Sequence, residues 1–157
     1  MNSAIELLLT LRVRDVMNRQ VISIAADESL SAAAETLIQH EITGVPVVDA
    51  QGDCQGVLSG TDFVRRLRSD RPQGTGVGTS PSISRDFEAH FSSETVVGDI
   101  MTPRVRSIYP DASLMDAARA MCEFHVHRLI VMDHSRRPMG IVSSLDVVAA
   151  MIQAIEQ

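Results

Sequence analysis

Gly56-Val57-Leu58-Ser59-Gly60-Thr61-Asp62 returns 84 positions later as Gly140-Ile141-Val142-Ser143-Ser144-Leu145-Asp146. Both stretches read as a short aliphatic strand that ends at a serine and passes directly into a helix. The same offset, with no gap, lays residues 11–68 on residues 95–152, and 17 of the 58 pairs are identical. Composition alone would give about three or four. The identities fall in blocks. Asp15 and Met17 meet Asp99 and Met101. Asp27, Ser29, Leu30, Ala33 and Ala34 meet Asp111, Ser113, Leu114, Ala117 and Ala118. Two copies favour a closed pair over a solenoid, which needs three or more repeats.

Each copy has one reading. Val21–Ile24 is a β-branched strand. Asp27 and Ser29 offer an N-cap for a helix whose apolar face is Leu30, Ala33, Ala34, Leu37 and Ile38. Val45–Val48 is a second strand, which Pro46 marks as irregular or near an edge. Asp49–Gly52 is turn chemistry. Gln55–Ser59 is a third strand and Thr61–Arg68 a second helix. The second copy gives Val105–Ile108, Leu114–Phe124, Leu129–Met132, Gly140–Ser143 and Leu145–Ile155. The fold class is therefore α+β, two tandem units of strand, helix, strand, strand, helix. A three-stranded sheet with both helices on one face leaves its other face open, and the twin unit is the natural cover, face to face about a pseudo-two-fold axis. The expected organisation is a lead-in helix at 1–10, repeats at 11–68 and 95–157, and a linker at 69–94. Ser3 and Glu6 spell a capping box for the lead-in helix. The linker is rich in Gly, Ser, Thr and Pro, with a possible short helix at Arg85–Phe91.

Composition removes several classes of function. The chain has 157 residues, 45% hydrophobic and 22% charged, with a net charge of −6. That balance suits a globular fold and argues against a general phosphate-backbone binder. Four Phe, one Tyr and no Trp leave little for stacking single-stranded nucleic acid. The apolar start, Ile5 and Leu7–Leu9, is broken by Glu6 and Arg12, so neither a signal peptide nor a membrane span is expected. Cys54 and Cys122 lack metal spacing, and a reducing, cytoplasmic setting fits.

The chain resembles the CBS-domain pair, or Bateman module, a family of adenosyl-ligand sensors. The resemblance rests on Val16-Met17 and Ile100-Met101-Thr102-Pro103, on Thr43-Gly-Val-Pro-Val-Val-Asp49 and His127-Arg-Leu-Ile-Val-Met-Asp133, and on the two glycine-led stretches quoted first. His127-Arg128-Leu-Ile-Val also resembles the nucleotide-contacting segment of the γ-subunit of AMP-activated protein kinase. The resemblance implies ligand clefts between the repeats, with adenine against Ile22, Ile42, Val57, Val126 and Ile141.

The residues suit that chemistry. A helix N-terminus attracts phosphate through free amides and its dipole. Ser59 and Ser143 add a hydroxyl there. Asp62 and Asp146 can accept both hydroxyls of a ribose through charge-assisted bonds. Gly56 and Gly140 are expected to let a ligand approach the strand. Ser-x-x-Asp is also close to a capping box, and one residue can cap the empty helix and turn to a bound ligand. Arg65, Arg66, Arg68 and Arg71 read as a solvated face. His125 and His127 would share a strand face, but spacing places no third metal ligand. His127 therefore reads as a ligand contact and His125 as a strand-entry residue. No catalytic set and no Walker-type loop is present, and Gly74, Gly76 and Gly78 lie in the linker.

These readings lead to a non-catalytic regulatory sensor of AMP, ADP or ATP, with S-adenosylmethionine or NAD as variants, acting on an unidentified partner. The alternative is a ligand-free dimerising scaffold or inhibitory interaction module. The apolar last helix predicts a homodimer. By the family's pattern the Asp62 cleft faces Arg104 and Arg106, with His127 and Arg128 close by, and the Asp146 cleft faces Asn18, Gln20, Ile22 and Thr43. Charge then assigns the more phosphorylated ligand to Asp62.

Overall fold

The computed structural model describes residues 2–69 and 94–156. The proposed Arg85–Phe91 helix and the linker glycines lie outside the described residues. The elements are α1 (Asn2–Thr10), α2 (Val13–Val16), β1 (Ile24–Ala25), α3 (Leu30–Gln39), β2 (Gly44–Val48), β3 (Cys54–Ser59) and α4 (Gly60–Ser69). They continue with α5 (Val97–Ile100), β4 (Ser107–Ile108), α6 (Leu114–Phe124), β5 (Arg128–Met132), β6 (Pro138–Ser143) and α7 (Ser144–Glu156). Two three-stranded sheets run β1-β2-β3 and β4-β5-β6. The first pair in each is parallel: Ile24 lies opposite Val47 and Ser107 opposite Ile130. β5 and β6 are antiparallel, with a register shift at Val131/Met132.

Local chemistry explains most boundaries. Ser29 and Ser113 cap α3 and α6, their hydroxyls accepting from the amides of Ala32 and Asp116 at 3.2 and 3.0 Å. Glu41 and His125, at equivalent positions just past these helices, both take left-handed backbone, φ 53° and 52°, a common way for a helix to end. His125 is thus the C-cap of α6, not a strand residue, and β5 starts only at Arg128. The shared strand face expected for His125 and His127 is not formed. Ser3 lies inside α1, which covers Asn2–Thr10, rather than ahead of it as a cap.

The first strand of each repeat is shorter than its apolar run. Val21–Ile24 yields only Ile24–Ala25, and Val105–Ile108 only Ser107–Ile108. For the first copy the physical reason is a handover of the chain. Residues 2–22, 52–54 and 105–156 pack as one compact unit, and residues 23–51, 55–69 and 94–104 as another. Val21–Ile24 therefore begins in one unit and ends in the other, while Val105–Ile108 lies wholly in the first, directly after the boundary at Arg104. Pro46 is not on an edge strand, since β2 lies between β1 and β3. Its counterpart Ile130 donates its amide to the Arg106 carbonyl at 3.2 Å. β1 begins only at Ile24, past Ile22, the counterpart of Arg106, so the missing proline donor interrupts neither pair of the β1–β2 ladder, Ile24 with Val47 and Ala25 with Val48.

In the first unit, the segment leading into repeat 1 packs on repeat 2. The amides of Val13 and Arg14 donate to the carbonyls of Ala112 and Pro110 at 3.0 and 2.9 Å. Asn18 and Ile141 exchange two backbone bonds of 2.9 Å. Val13, Met17, Ala117, Met121, Leu129, Val131 and Val142 form its buried core. α1 packs against α6 and α7, and the β2–β3 turn is tied in by the Cys54 amide on the Arg136 carbonyl, 3.0 Å.

The second unit repeats the scheme. The amides of Val97 and Gly98 donate to the carbonyls of Glu28 and Ala26 at 2.9 and 2.8 Å, and Val57 and Thr102 exchange two bonds of 2.9 Å. Its buried residues include Ile24, Leu30, Ala33, Leu37, Val45, Val47, Leu58 and Val97. The short helices α2 and α5 are both held by an aspartate: the Asp15 and Asp99 carboxylates accept the amides of Arg12 and Val96 at 2.8 and 2.9 Å.

Gly56 and Gly140 serve these crossings. A Cβ on Gly56 would lie 2.7 Å from the Thr102 carbonyl oxygen and 2.9 Å from the Met101 sulfur, and one on Gly140 would meet the Met17 sulfur and, at 3.2 Å, the Asn18 carbonyl. The space read as room for a ligand is filled by the protein's own lead-in backbone. Gly56→Ala must push a hydrogen-bonded backbone aside and is expected to cost about 1–3 kcal/mol. Gly140→Ala, whose nearest obstacle is a flexible thioether, is expected to cost less. Denaturant unfolding of both variants checks the order. Wild-type stability for Gly56→Ala would refute the tight clasp.

Candidate functional site

In the second unit β3 ends at Ser59 and α4 begins at Gly60. Asp62 is the third residue of that helix and is 3% exposed, the only buried charged residue among those described. Its Oδ2 accepts the Ser59 amide at 2.8 Å and the Ser59 hydroxyl at 2.9 Å. Its Oδ1 accepts Arg65 Nη1 at 3.0 Å and the Thr102 hydroxyl at 2.8 Å. The Gly60 amide donates to the Thr43 carbonyl at 3.1 Å. One of the amides expected to be open for phosphate is therefore already used.

The first unit builds the same corner differently. Asp146 Oδ2 accepts the Ser143 amide and hydroxyl, both at 2.7 Å. The Asp146 amide donates to Ser143 Oγ at 3.2 Å, completing the capping box. The Ser144 amide donates to the His127 carbonyl at 3.0 Å. Arg128 pairs directly with Ser143 across β5 and β6, so their side chains leave the same sheet face. Among the described residues no donor reaches Asp146 Oδ1, and Asp146 is half-buried.

The structure sorts the expected site residues by unit. Ile42, Thr43, Val57, Ser59, Asp62 and Arg104 belong with the second. Gln20, Ile22, Arg106, Val126, His127, Arg128, Ile141, Ser143 and Asp146 belong with the first. Ile22, Ile42, Val57, Val126 and Ile141 are half-buried, and Gln20, Thr43, Arg104, His127 and Arg128 are exposed. The Arg106 guanidinium lies 4.0 Å from the centre of the Phe124 ring, a cation–π contact within its own unit.

Two polar partners escaped the reading of the sequence. Arg65, taken as solvated, has its side chain 64% exposed, yet it pairs with Asp62. Thr102 was noted only as part of a family spelling. The 84-residue offset carried the signal: Thr102 aligns with Asn18 and Arg65 with Ala149, so the two corners could not be furnished alike.

Comparison with known proteins agrees with this architecture. Residues 13–69 and 97–153 each match the CBS domain family. The chain is 30% identical over 133 residues to the CBS domain-containing protein CBSX2, chloroplastic, of Arabidopsis thaliana, covering 80% of this chain and 56% of that protein. It thus spans little more than half that relative's length. A crystal structure of CBSX2 in complex with AMP is similar at 28% identity and a TM-score of 0.71, over 93% of this chain and 98% of that one. The CBS domain pair of MJ0100, in complex with 5'-methylthioadenosine and S-adenosyl-L-methionine, shares the fold with a TM-score of 0.69 at 24% identity, over 88% and 98% of the two chains. The chain belongs to the CBS-domain family and carries the family's unit twice.

Proposed function

We propose that this chain is a non-catalytic sensor of adenosine-containing ligands, AMP, ADP or ATP foremost, which passes a conformational signal to a partner protein. One observation carries the reading: a Ser–Asp corner at a strand-to-helix junction, on a chain similar to a CBS pair solved with AMP. A carboxylate at such a corner can take two ribose hydroxyls. In this reading half-buried aliphatic side chains meet the adenine, Ile22, Val126 and Ile141 in the first unit and Ile42 and Val57 in the second. Arg104, Arg106 and Arg128 supply positive charge for phosphate, and His127 is a hydrogen-bonding contact. S-adenosylmethionine and NAD share the adenosine moiety and remain variants. Neither cysteine is in a disulfide among the described residues, and the proposed setting is the reducing cytoplasm. Among the described residues no helix is long and apolar enough to cross a membrane.

The second reading, a ligand-free dimerising scaffold, draws on α7. Leu145, Val148, Met151, Ile152 and Ile155 are 46–75% exposed along this one helix. Apolar surface of that extent marks an interface, and we assign it to a second copy of the chain.

A thermal-shift panel with AMP, ADP, ATP, S-adenosylmethionine and NAD separates the two readings. A ligand at about a hundred times its dissociation constant adds about 2.7 kcal/mol, which raises Tm by roughly 5–10 °C for a chain of this length. No shift with any of the five overturns the sensor. Light scattering should report a dimer, and Ile152→Glu, which places a charge in the α7 face, should report a monomer. A monomeric unsubstituted chain would refute the interface.

A further inference from the structure

The two carboxylates occupy equivalent places but are bonded differently. A carboxylate has about four lone-pair positions, and at Asp62 four donors take them: the Ser59 amide and hydroxyl, Arg65 and Thr102. Thr102 comes from forty residues further along the chain, so its bond fastens the lead-in of repeat 2 to the first turn of α4. Asp62 is also nearly sealed from water, its side chain 2% exposed. A ribose could reach it only by displacing Thr102 and Arg65.

At Asp146 both extra donors are missing for reasons written in the chain. The place of Thr102 is held by Asn18, whose Oδ1 accepts the Gln20 amide at 2.9 Å. The place of Arg65 is held by Ala149, which has nothing to donate. Oδ2 is engaged by Ser143, and Oδ1 meets no donor among the described residues. The charge argument from sequence assigned the more phosphorylated ligand to Asp62. The hydrogen bonding points the other way.

We propose that the carboxylates divide the work: Asp62 is a positioning residue that tethers the 95–102 lead-in, and Asp146 alone accepts the ribose hydroxyls, so that one adenosyl ligand binds per chain. This rests on the adenosyl-sensor reading and narrows it to one corner. Thr102 and Arg65 are then the residues that close the other corner.

Calorimetric titration of the full chain with AMP tests it. The unsubstituted chain should bind one AMP per chain. Asp146→Asn should weaken binding by at least about tenfold while the variant remains folded. The double variant Arg65→Ala/Thr102→Val, which bares Asp62, should gain a second AMP. The converse pair Asn18→Thr/Ala149→Arg should lose affinity at Asp146. Two AMP bound by the unsubstituted chain, or affinity retained by Asp146→Asn and lost by Asp62→Asn, overturns the division while leaving the sensor intact. No AMP bound by any variant overturns the division, and the sensor falls with it only when ADP, ATP, S-adenosylmethionine and NAD also leave Tm unmoved. The tether has its own readout in denaturant unfolding. Asp62→Ala and Thr102→Val, singly and together, should be non-additive, with Asp62→Asn replacing Asp62→Ala if the latter does not fold. Additive losses overturn the tether.

Discussion

Everything in this molecule depends on two places where one backbone lies directly against another. At Gly56 and Gly140 the missing Cβ lets a lead-in segment come close enough for reciprocal amide-to-carbonyl bonds, Val57 with Thr102 and Ile141 with Asn18. Backbone polar groups must find partners when they leave water, and here the partners come from a distant part of the chain. The same crossings bring Val13 and Val97 to complete burial, and they bring Thr102 to Asp62. The pairing of secondary structure, the filling of each core and the furnishing of each corner are thus one event seen at three scales.

In the proposed sensor one residue type serves both the fold and the ligand. An acidic residue in the first turn of a helix is favoured by the dipole and by the capping bonds it accepts. That is reason enough for a Ser–Asp pair at a strand-to-helix junction. The ligand chemistry asks for the same group, because a carboxylate that accepts amides can also accept hydroxyls. What separates cap from ligand site is therefore how many of the oxygen lone pairs are already taken, which depends on neighbours such as Arg65 and Ala149 rather than on the motif.

The repeat, both sheets and the long helices were legible because their causes are local. Short continuous apolar runs mark β2 and β5, Ser29 and Ser113 mark helix starts, and the 84-residue offset lets each copy check the other. What was not legible has distant causes. No local pattern says that residues 105–156 will claim residues 2–22, so the first strand of repeat 1 was read too long and the glycines were read as space for a ligand. Pro46 was read as an edge signal because the two-residue length of β1 could not be foreseen. His125 was read as strand because its left-handed backbone is set by how α6 ends. Ser59–Asp62 and Ser143–Asp146 were read as strand-to-helix junctions and form them, but Thr102 and Arg65, which distinguish the two, arrive through folding.

The crossing of the lead-ins also sets the order in which a growing chain can be finished. When residue 69 leaves the ribosome, the β1-β2-β3 sheet has every strand it needs but not residues 94–104. Until they arrive, the Val57 amide and carbonyl have no partner and the place of Val97 is empty. At ordinary rates of synthesis that wait lasts roughly two to seven seconds, long compared with the time a small sheet needs to collapse. Residues 2–22 wait longer still, because β6 and α7 are made last. For this chain the unit of inheritance, the sequence repeat, is not the unit of folding, and the nascent protein spends its first seconds as an open template for strand pairing.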